Sequence, residues 1–434
     1  MSTTLRAGAA RVDITPPIGV DLTGFIARQN PSIGVRDPIY ARVLVLDDAD
    51  RQVALISCDL LGFSRELVVE IRDRISVETG ISALHTMLAC THTHGGPATM
   101  RLVDCGEISP AYVETLTSLI SQAVAQAQAR LEPATLAIGS TTSSRGVHNR
   151  RTPGDVIDPE VGVLRVDNAQ GKPLAVVVNY TCHPTCLNHV NRHITADYPG
   201  LVTSRIEQET GAVALFLMGA IGDVGPVARG EESLATVGNA VVDAALAALP
   251  QLATNEIERL NVRGELLDLP LLSIPNREQW VTMRVEYQAA ALAAEHNNDP
   301  ANAKIQWAMV HWVERMFEAM QDHELRPTVN VEIQVIRIGD LVIAGVPGEY
   351  FVELGLQIKQ GIQKHDAAGK ASQVMIAGFA NGNVGYIPAR RAYPKGGYEV
   401  TDAYRYYGYP AAIAPEGGEM IVASAVAMGR KSVG

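Results

Sequence analysis

Two histidines two residues apart close an apolar run in Met87-Leu88-Ala89-Cys90-Thr91-His92-Thr93-His94-Gly95-Gly96-Pro97. Alternate side chains of an extended backbone point the same way, so this spacing predicts that His92 and His94 face one cavity. Gly95-Gly96-Pro97 ends the strand and lets the chain pass close to a bound group. Imidazole is the commonest metal ligand among side chains, so such a strand end suits a metal or an acid–base site. A surface histidine pair at a strand terminus is the plainer alternative, and the pair alone does not separate the two.

Other apolar runs end in the same kind of side chain. Leu174–Tyr180 leads into Thr181-Cys182-His183-Pro184-Thr185, Leu341–Ala344 into Val346-Pro347-Gly348-Glu349, and Val374–Ala377 into a Gly-rich turn ending at Tyr386. Each lies in or beside a Gly- or Pro-containing turn, where a sheet holds a side chain rigidly and a ligand can reach it. Two histidines and a carboxylate make a catalytic zinc set with positions left for water and substrate. Tyr386 is an unusual ligand; a buried aromatic whose hydroxyl makes a hydrogen bond is the alternative. Asp59, ending the apolar Val53–Cys58, reads either as a supporting carboxylate or as a cap of the next helix. The Gly219–Pro226 loop has neither the Gly-Lys-Ser/Thr of a P-loop nor a GxGxxG fingerprint, so it is no phosphate cradle. Cys182 and Cys186 flank His183, but the second Cys-x-x-Cys of a zinc knuckle is missing.

Strands and helices interleave along the whole chain, which predicts an α/β fold of mixed β-sheets flanked by helices, with the active site at strand ends. Helical spacing marks Arg65–Thr79 (Gly80 as C-cap), Tyr112–Arg130, Leu201–Glu209, Leu234–Ala248, Phe351–Gln363 and Pro415–Met428. Alternating or continuous apolar runs mark strands at Arg11–Thr15, Ala41–Leu46, Val53–Ser57, Ala134–Ser140, Val161–Val166, Leu174–Tyr180, Ala212–Met218, Glu256–Leu269, Val329–Ile338 and Leu341–Ala344. Residues 278–324 read as a helical insert broken at Asn297-Asn298-Asp299-Pro300, its Trp and Met residues forming core, with a lid as a further role. The Arg390–Tyr409 tail is crowded with tyrosines and has no clear period.

The 434 residues are 47% hydrophobic and 19% charged, with a net charge of −11. That suits a chain with a sizeable core and argues against nucleic acid or an anionic membrane as the main partner. No apolar run approaches the roughly 18 residues of a membrane span. The N-terminus lacks an apolar h-region, and five irregularly spaced cysteines read as reduced thiols, so a cytoplasmic location is expected.

Taken together these segments resemble the neutral and alkaline (non-lysosomal) ceramidases, zinc amidases that cleave the N-acyl bond of ceramide. GAARVDITPPIGVDLTGF near the N-terminus resembles the family's first stretch, and Thr91-His92-Thr93-His94-Gly95-Gly96-Pro97 its THTHSGP. Asn149-Arg150, His183-Pro184-Thr185 with Asn191 and Asp197, Gly222-Asp223-Val224 with Pro226, and Pro347-Gly348-Glu349 follow in the family's order. Asn383-x-x-Tyr386, Tyr393 and Tyr398-Glu399 keep the spacing of its tyrosine-rich tail. The resemblance implies that His92, His183, Glu349 and Tyr386 hold one Zn2+ per chain. It places His94, Arg150 and Tyr398 on the scissile amide, the backbone at Gly24 in the pocket lining, and Asn383, Asp59 and Asp223 in support.

The implied activity is a ceramidase-like, zinc-dependent amidohydrolase: attack of metal-bound hydroxide on a linear amide (N-acyl) bond of a small-molecule or lipid substrate, with a place in sphingolipid metabolism. Gly95 and Gly225 stand where the family has serines, and Pro388–Tyr393 is more basic than the family's tail. These departures bear on the substrate more than on the reaction. One catalytic domain over residues 1–434, with no C-terminal immunoglobulin-like domain, is expected. The alternatives are a zinc esterase, lactonase or cyclic-amide hydrolase acting on a small polar substrate, and a non-catalytic binding protein on the same fold. The helical insert and acidic surface leave room for a homo-oligomer.

Overall fold

The computed structural model describes residues 5–252, 254–255, 259–364 and 373–430. Eight strands build the central sheet: β1 Arg6–Asp13, β2 Tyr40–Asp47, β3 Gln52–Cys58, β4 Thr86–Cys90, β5 Glu132–Thr142, β6 Glu160–Asn168, β7 Pro173–Tyr180 and β8 Val213–Met218. They lie in the order β8-β7-β6-β5-β1-β2-β3-β4, and Thr254–Asn255 pairs beside β5. The β3–β4 and β7–β8 pairs are parallel; the others are antiparallel. A second sheet runs β9 Leu260–Pro270, β10 Thr328–Ile338, β11 Leu341–Val346 and β12 Gln373–Gly378.

The apolar runs of the strands reflect burial on both faces. Along β2, Val43 and Val45 join a core with α1 Arg65–Thr79 and α2 Pro110–Ala129, on which Ile71 and Ile120 lie. Leu44 and Leu46 point the other way, onto Ile336 of β10 and Ile343 of β11. The period of two thus puts one strand between two cores. On the first face, α3 Asp197–Thr210 covers β8 and α4 Glu231–Ala248 covers β5 and β6, with Val202 and Val241 in the core. On the outer face of the second sheet, α7 Val352–Gln363 and α8 Pro415–Arg430 pack Ile358 and Ile421 against Val342. The result is four layers, helix–sheet–sheet–helix. The large sheet curls far enough for the Ser57 hydroxyl on β3 to donate to the Phe216 carbonyl on β8 at 2.6 Å.

α5 Arg277–His296 and α6 Pro300–Gln321 form the expected helical insert, split where Asp299 caps α6 and Pro300 takes its first position. Trp280 and Trp312 meet edge to face at 5.0 Å in its core, with Met309 and Met316. α1 has the predicted C-cap, a left-handed Gly80, and the structure adds an N-cap at Ser64. Two expectations change, and part of a third lies outside the described residues. The first strand begins at Arg6 rather than Arg11, because its small residues Ala7 to Ala10 pair with β2. Of the strand expected from Glu256, residues 256–258 lie outside the described ones. Residues 231–251 are, by length and mean hydropathy alone, apolar enough to cross a membrane, although Asn239 and Asp243 interrupt the apolar run. This alanine-rich helix has Leu234, Val237 and Val241 buried in the core.

Two devices fix the loops that bear the site. Asp59 does not cap α1; it is buried and accepts from the Tyr40 N–H at 3.0 Å and from Arg42 Nη1 at 2.7 Å. Arg42 reaches on to Glu207 of α3 at 3.1 Å, which ties the end of β3 to the helix layer. Asn381, beyond β12, exchanges two hydrogen bonds with Leu88 on β4 at 2.7 and 3.0 Å and so occupies an edge of the large sheet. Replacing Asp59 by Ala strips a buried guanidinium of one of its two carboxylates. Asp59→Ala is therefore expected to lose about 3 to 5 kcal/mol in denaturant unfolding. A loss below about 1 kcal/mol would show that Glu207 alone compensates Arg42.

Candidate metal centre

β4 ends at Cys90, and two residues later His92 adopts φ +62°. The extended, alternating backbone expected for His92 and His94 is therefore not what brings them together; a left-handed turn does. Backbone N–H groups of Thr91 and His92 donate to the carbonyls of Cys58 and Leu60, each at 2.9 Å. The His92 ring bonds the Leu61 carbonyl through Nδ1 at 2.7 Å. A carbonyl only accepts, so Nδ1 carries a proton, which leaves Nε2 as the nitrogen that can ligate. Phe379, itself at φ +57°, stacks on this ring at 3.9 Å.

His183 follows β7, its N–H donating to the Val224 carbonyl at 3.1 Å. Glu349 opens the short strand Glu349–Tyr350, which pairs in parallel with Tyr386–Ile387 so that Glu349 and Tyr386 stand side by side. His92 Nε2 lies 3.7 Å and His183 Nε2 3.8 Å from Glu349 Oε2. His94 Nε2 lies 3.1 Å from His183 Nε2. The ring nitrogens of His92, His94 and His183 fall within 4.8 Å of one another, a group that could hold a metal ion.

The polar atoms here fit a cation. His92 Nε2 and Glu349 Oε2 are buried and find no hydrogen-bond partner among the described residues. Two imidazole nitrogens 3.1 Å apart either share a proton or share a cation. Burial, with the charge of His92 and Arg150 nearby, holds His94 and His183 well below the usual histidine range. Both are therefore neutral at neutral pH, as ligation requires. Burial opposes ionisation of Glu349, but contacts with His92 and the hydroxyls of Tyr386 and Tyr407 outweigh it and hold its carboxyl below the ordinary value.

The other expected residues converge on the same place. Arg150 Nη2 donates to the Tyr386 hydroxyl and to the Gly222 carbonyl, both at 2.8 Å, and lies 3.2 Å from Glu399. Asp223 fixes this loop: its carbonyl accepts from the Arg150 N–H at 2.8 Å and its carboxylate from Asn149 at 2.9 Å and the Val352 N–H at 2.8 Å. Asn383 accepts from the Gly385 N–H at 2.9 Å and shapes the turn before Tyr386. The Tyr398 ring sits 5.7 Å from that of Tyr386 and is 48% exposed. At Gly24, φ is +96°, and a Cβ would lie 2.5 Å from His94 Nδ1. Gly95 is equally constrained, since a Cβ there would lie 2.4 Å from Thr195. Asn191 and Asp197 hold the connecting loop instead, Asp197 accepting from the Leu187 N–H at 3.0 Å.

Three contributors carry no role in the sequence reading. The Tyr407 hydroxyl bonds Glu349 Oε1. Phe379 stacks on His92. Arg28 is buried and donates to the His94 carbonyl at 2.6 Å. Tyr407 stands among several neighbouring tyrosines, and nothing local singles it out. The five cysteines are free and buried.

A cavity of about 560 Å³ opens above these groups. One wall is apolar, from Ile26, Leu102 and Met309; Tyr287 of α5 and Ile305 of α6 show that the helical insert supplies part of it.

The family described as "Neutral/alkaline non-lysosomal ceramidase, N-terminal" matches residues 5–245 and 294–411. The neutral ceramidase of Pseudomonas aeruginosa is 23% identical over 91% of this chain and 68% of its own length. That of Mycobacterium tuberculosis is 22% identical over 91% of this chain and 73% of its own. The crystal structure of the Pseudomonas aeruginosa enzyme superposes with a TM-score of 0.76 at 19% identity, over 99% of this chain and 74% of that one. The layered mixed α/β fold is thus shared along the whole length, and with the family matched over most of the chain, this protein belongs to the neutral/alkaline non-lysosomal ceramidases.

Proposed function

We propose that the chain is a zinc-dependent hydrolase of a linear amide (N-acyl) bond. The observation that carries this reading is the approach of His92 Nε2 and His183 Nε2 to Glu349 Oε2, with the first and last of these atoms buried and unpartnered. In this reading His92, His183 and Glu349 hold the ion and the Tyr386 hydroxyl completes the set. A zinc ion bound there supplies Lewis acidity and makes hydroxide available from water near neutral pH.

The chain's own residues do the remaining work. His94 is only half-buried and forms part of the cavity wall, with Nδ1 free of protein partners. Neutral at rest, it takes a proton from the attacking water and hands it to the departing amine nitrogen. The C–N bond breaks, a C–O bond forms, and an acid and an amine leave. Arg150 keeps its charge beside the cavity and orients the Tyr386 hydroxyl. Arg150 and the half-exposed Tyr398 are the donors we assign to the oxyanion. Tyr407 fixes the rotation of the Glu349 carboxylate. The apolar wall excludes water and receives the acyl chain. A neutral ceramidase is the named activity of the curated relatives, and a solved homologue is described as a ceramidase complexed with C2.

The division between the two histidines of the opening motif is directly testable. Protein purified without added zinc is expected to contain about one zinc per chain by elemental analysis. His92→Ala should lose the metal, whereas His94→Ala should keep it and lose hydrolysis of an N-acyl amide by roughly 100-fold or more. Equal zinc loss in both variants would make His94 a ligand rather than the proton carrier. A panel of matched amides, esters and lactones completes the test: turnover of esters or lactones alone would refute the amidase assignment.

Gly24 offers a separate check. Gly24→Ala puts a methyl group against the His94 ring and a side chain at φ +96°. Zinc content should stay at the wild-type value while kcat/KM falls about tenfold or more, because the ring must shift from its aim. Unchanged kcat/KM would show that the orientation of His94 does not limit the reaction.

A further inference from the structure

The cavity lining also carries guanidinium groups that a neutral amide does not need. Of the guanidinium groups that line it, Arg150 is paired with Glu399 at 3.2 Å and Arg405 with Asp402 at 2.9 Å. Arg229 has no carboxylate partner among the described residues. Its Nη1 is held by the carbonyl and hydroxyl oxygens of Thr185. Thr185 in turn donates its N–H to the His183 carbonyl at 2.8 Å, so the guanidinium is tied to the segment that carries a proposed ligand. Nε and Nη2 are left as one free edge of the fork. That edge matches the two oxygens of a carboxylate.

We propose that the amide cleaved at this site carries a carboxylate on its amine half, and that Arg229 reads it. The substrate class is then an N-acyl amino acid, with the acyl chain against Ile26, Leu102 and Met309 and the carboxylate on Arg229. This rests on the amidase reading and extends it. A cavity of about 560 Å³ is of the size that encloses one compact ligand. A neutral head group over Arg229 would strip water from the charge and return nothing. A carboxylate meets the same charge with two charge-assisted hydrogen bonds. Water adds across the C–N bond; the acyl carbon gains oxygen, and the amino acid leaves with the proton on its nitrogen.

The test compares N-dodecanoylglycine with N-dodecanoylethanolamine, which share the chain and the amide and differ in the carboxylate. For zinc-loaded wild-type protein, kcat/KM is expected to favour the glycine conjugate by about tenfold or more. In Arg229→Gln that ratio should collapse toward unity, chiefly through KM, and Arg229→Lys should recover part of it. Calorimetric binding of both amides to the same proteins reads the preference without turnover. If neither amide is cleaved but the glycine conjugate binds more tightly through Arg229, the amidase reading falls and the carboxylate reading stands. Equal handling of the two amides by the wild type, absence of binding, or a preference that Arg229→Gln leaves intact overturns the proposal.

Discussion

The site depends on one buried ion pair. Arg42 and Asp59 meet at 2.7 Å, both nearly devoid of solvent contact. They fix the turn beyond β3, whose carbonyls at Cys58, Leu60 and Leu61 then receive the Thr91 and His92 N–H groups and the His92 ring. Backbone and side chain of His92 are thereby held by the same few residues. A non-glycine residue in the left-handed region costs about 1 to 2 kcal/mol and persists only where its surroundings over-determine it. Here three hydrogen bonds and a stacked Phe379 do so. The tautomer follows without any further group, because a carbonyl admits only the Nδ1 proton.

The electrostatics of the centre point the same way. His94 and His183, held well below the usual histidine range by burial, stand beside a carboxylate that His92 and the hydroxyls of Tyr386 and Tyr407 hold below its ordinary value. Leaving a buried polar atom without a partner costs about 1 to 3 kcal/mol each. Folding alone would favour an apolar pair in place of His92 Nε2 and Glu349 Oε2. Their retention at the end of a tightly specified turn makes chemical sense when a cation joins them.

The layers and most element boundaries were legible in the sequence because they rest on local periodicity. α1 could be read with its C-cap, since Gly80 acts within its own turn. So could the order of the strand-end residues, which the short strands Glu349–Tyr350 and Tyr386–Ile387 bring together in register. What was not legible is non-local. The role of Asp59 depends on Arg42, seventeen positions away, and on a helix contact through Glu207. Tyr407 acquires its meaning from Glu349, which no spacing rule connects to it. The His92–His94 spacing did bring both rings to one cavity, but through a left-handed turn whose cause, the carbonyls at 60 and 61, lies outside the motif.

The cavity lining comes almost wholly from segments that match the family. The imidazoles, Glu349, Arg150 and Tyr386 come from segments inside the family match, residues 5–245 and 294–411. Tyr287 comes from α5, in the interval that the match leaves out. The proposed centre therefore lies in what matches the family, and so does most of the apolar lining, Ile26, Leu102, Ile305 and Met309 included, with Tyr287 outside it. An amide bond needs the same water, proton carrier and oxyanion donors whatever lies on either side of it. The wall beyond must match each new acyl or amine group, and it can change without disturbing the turn that holds His92. Family membership thus constrains the bond broken far more tightly than the molecule that contains it.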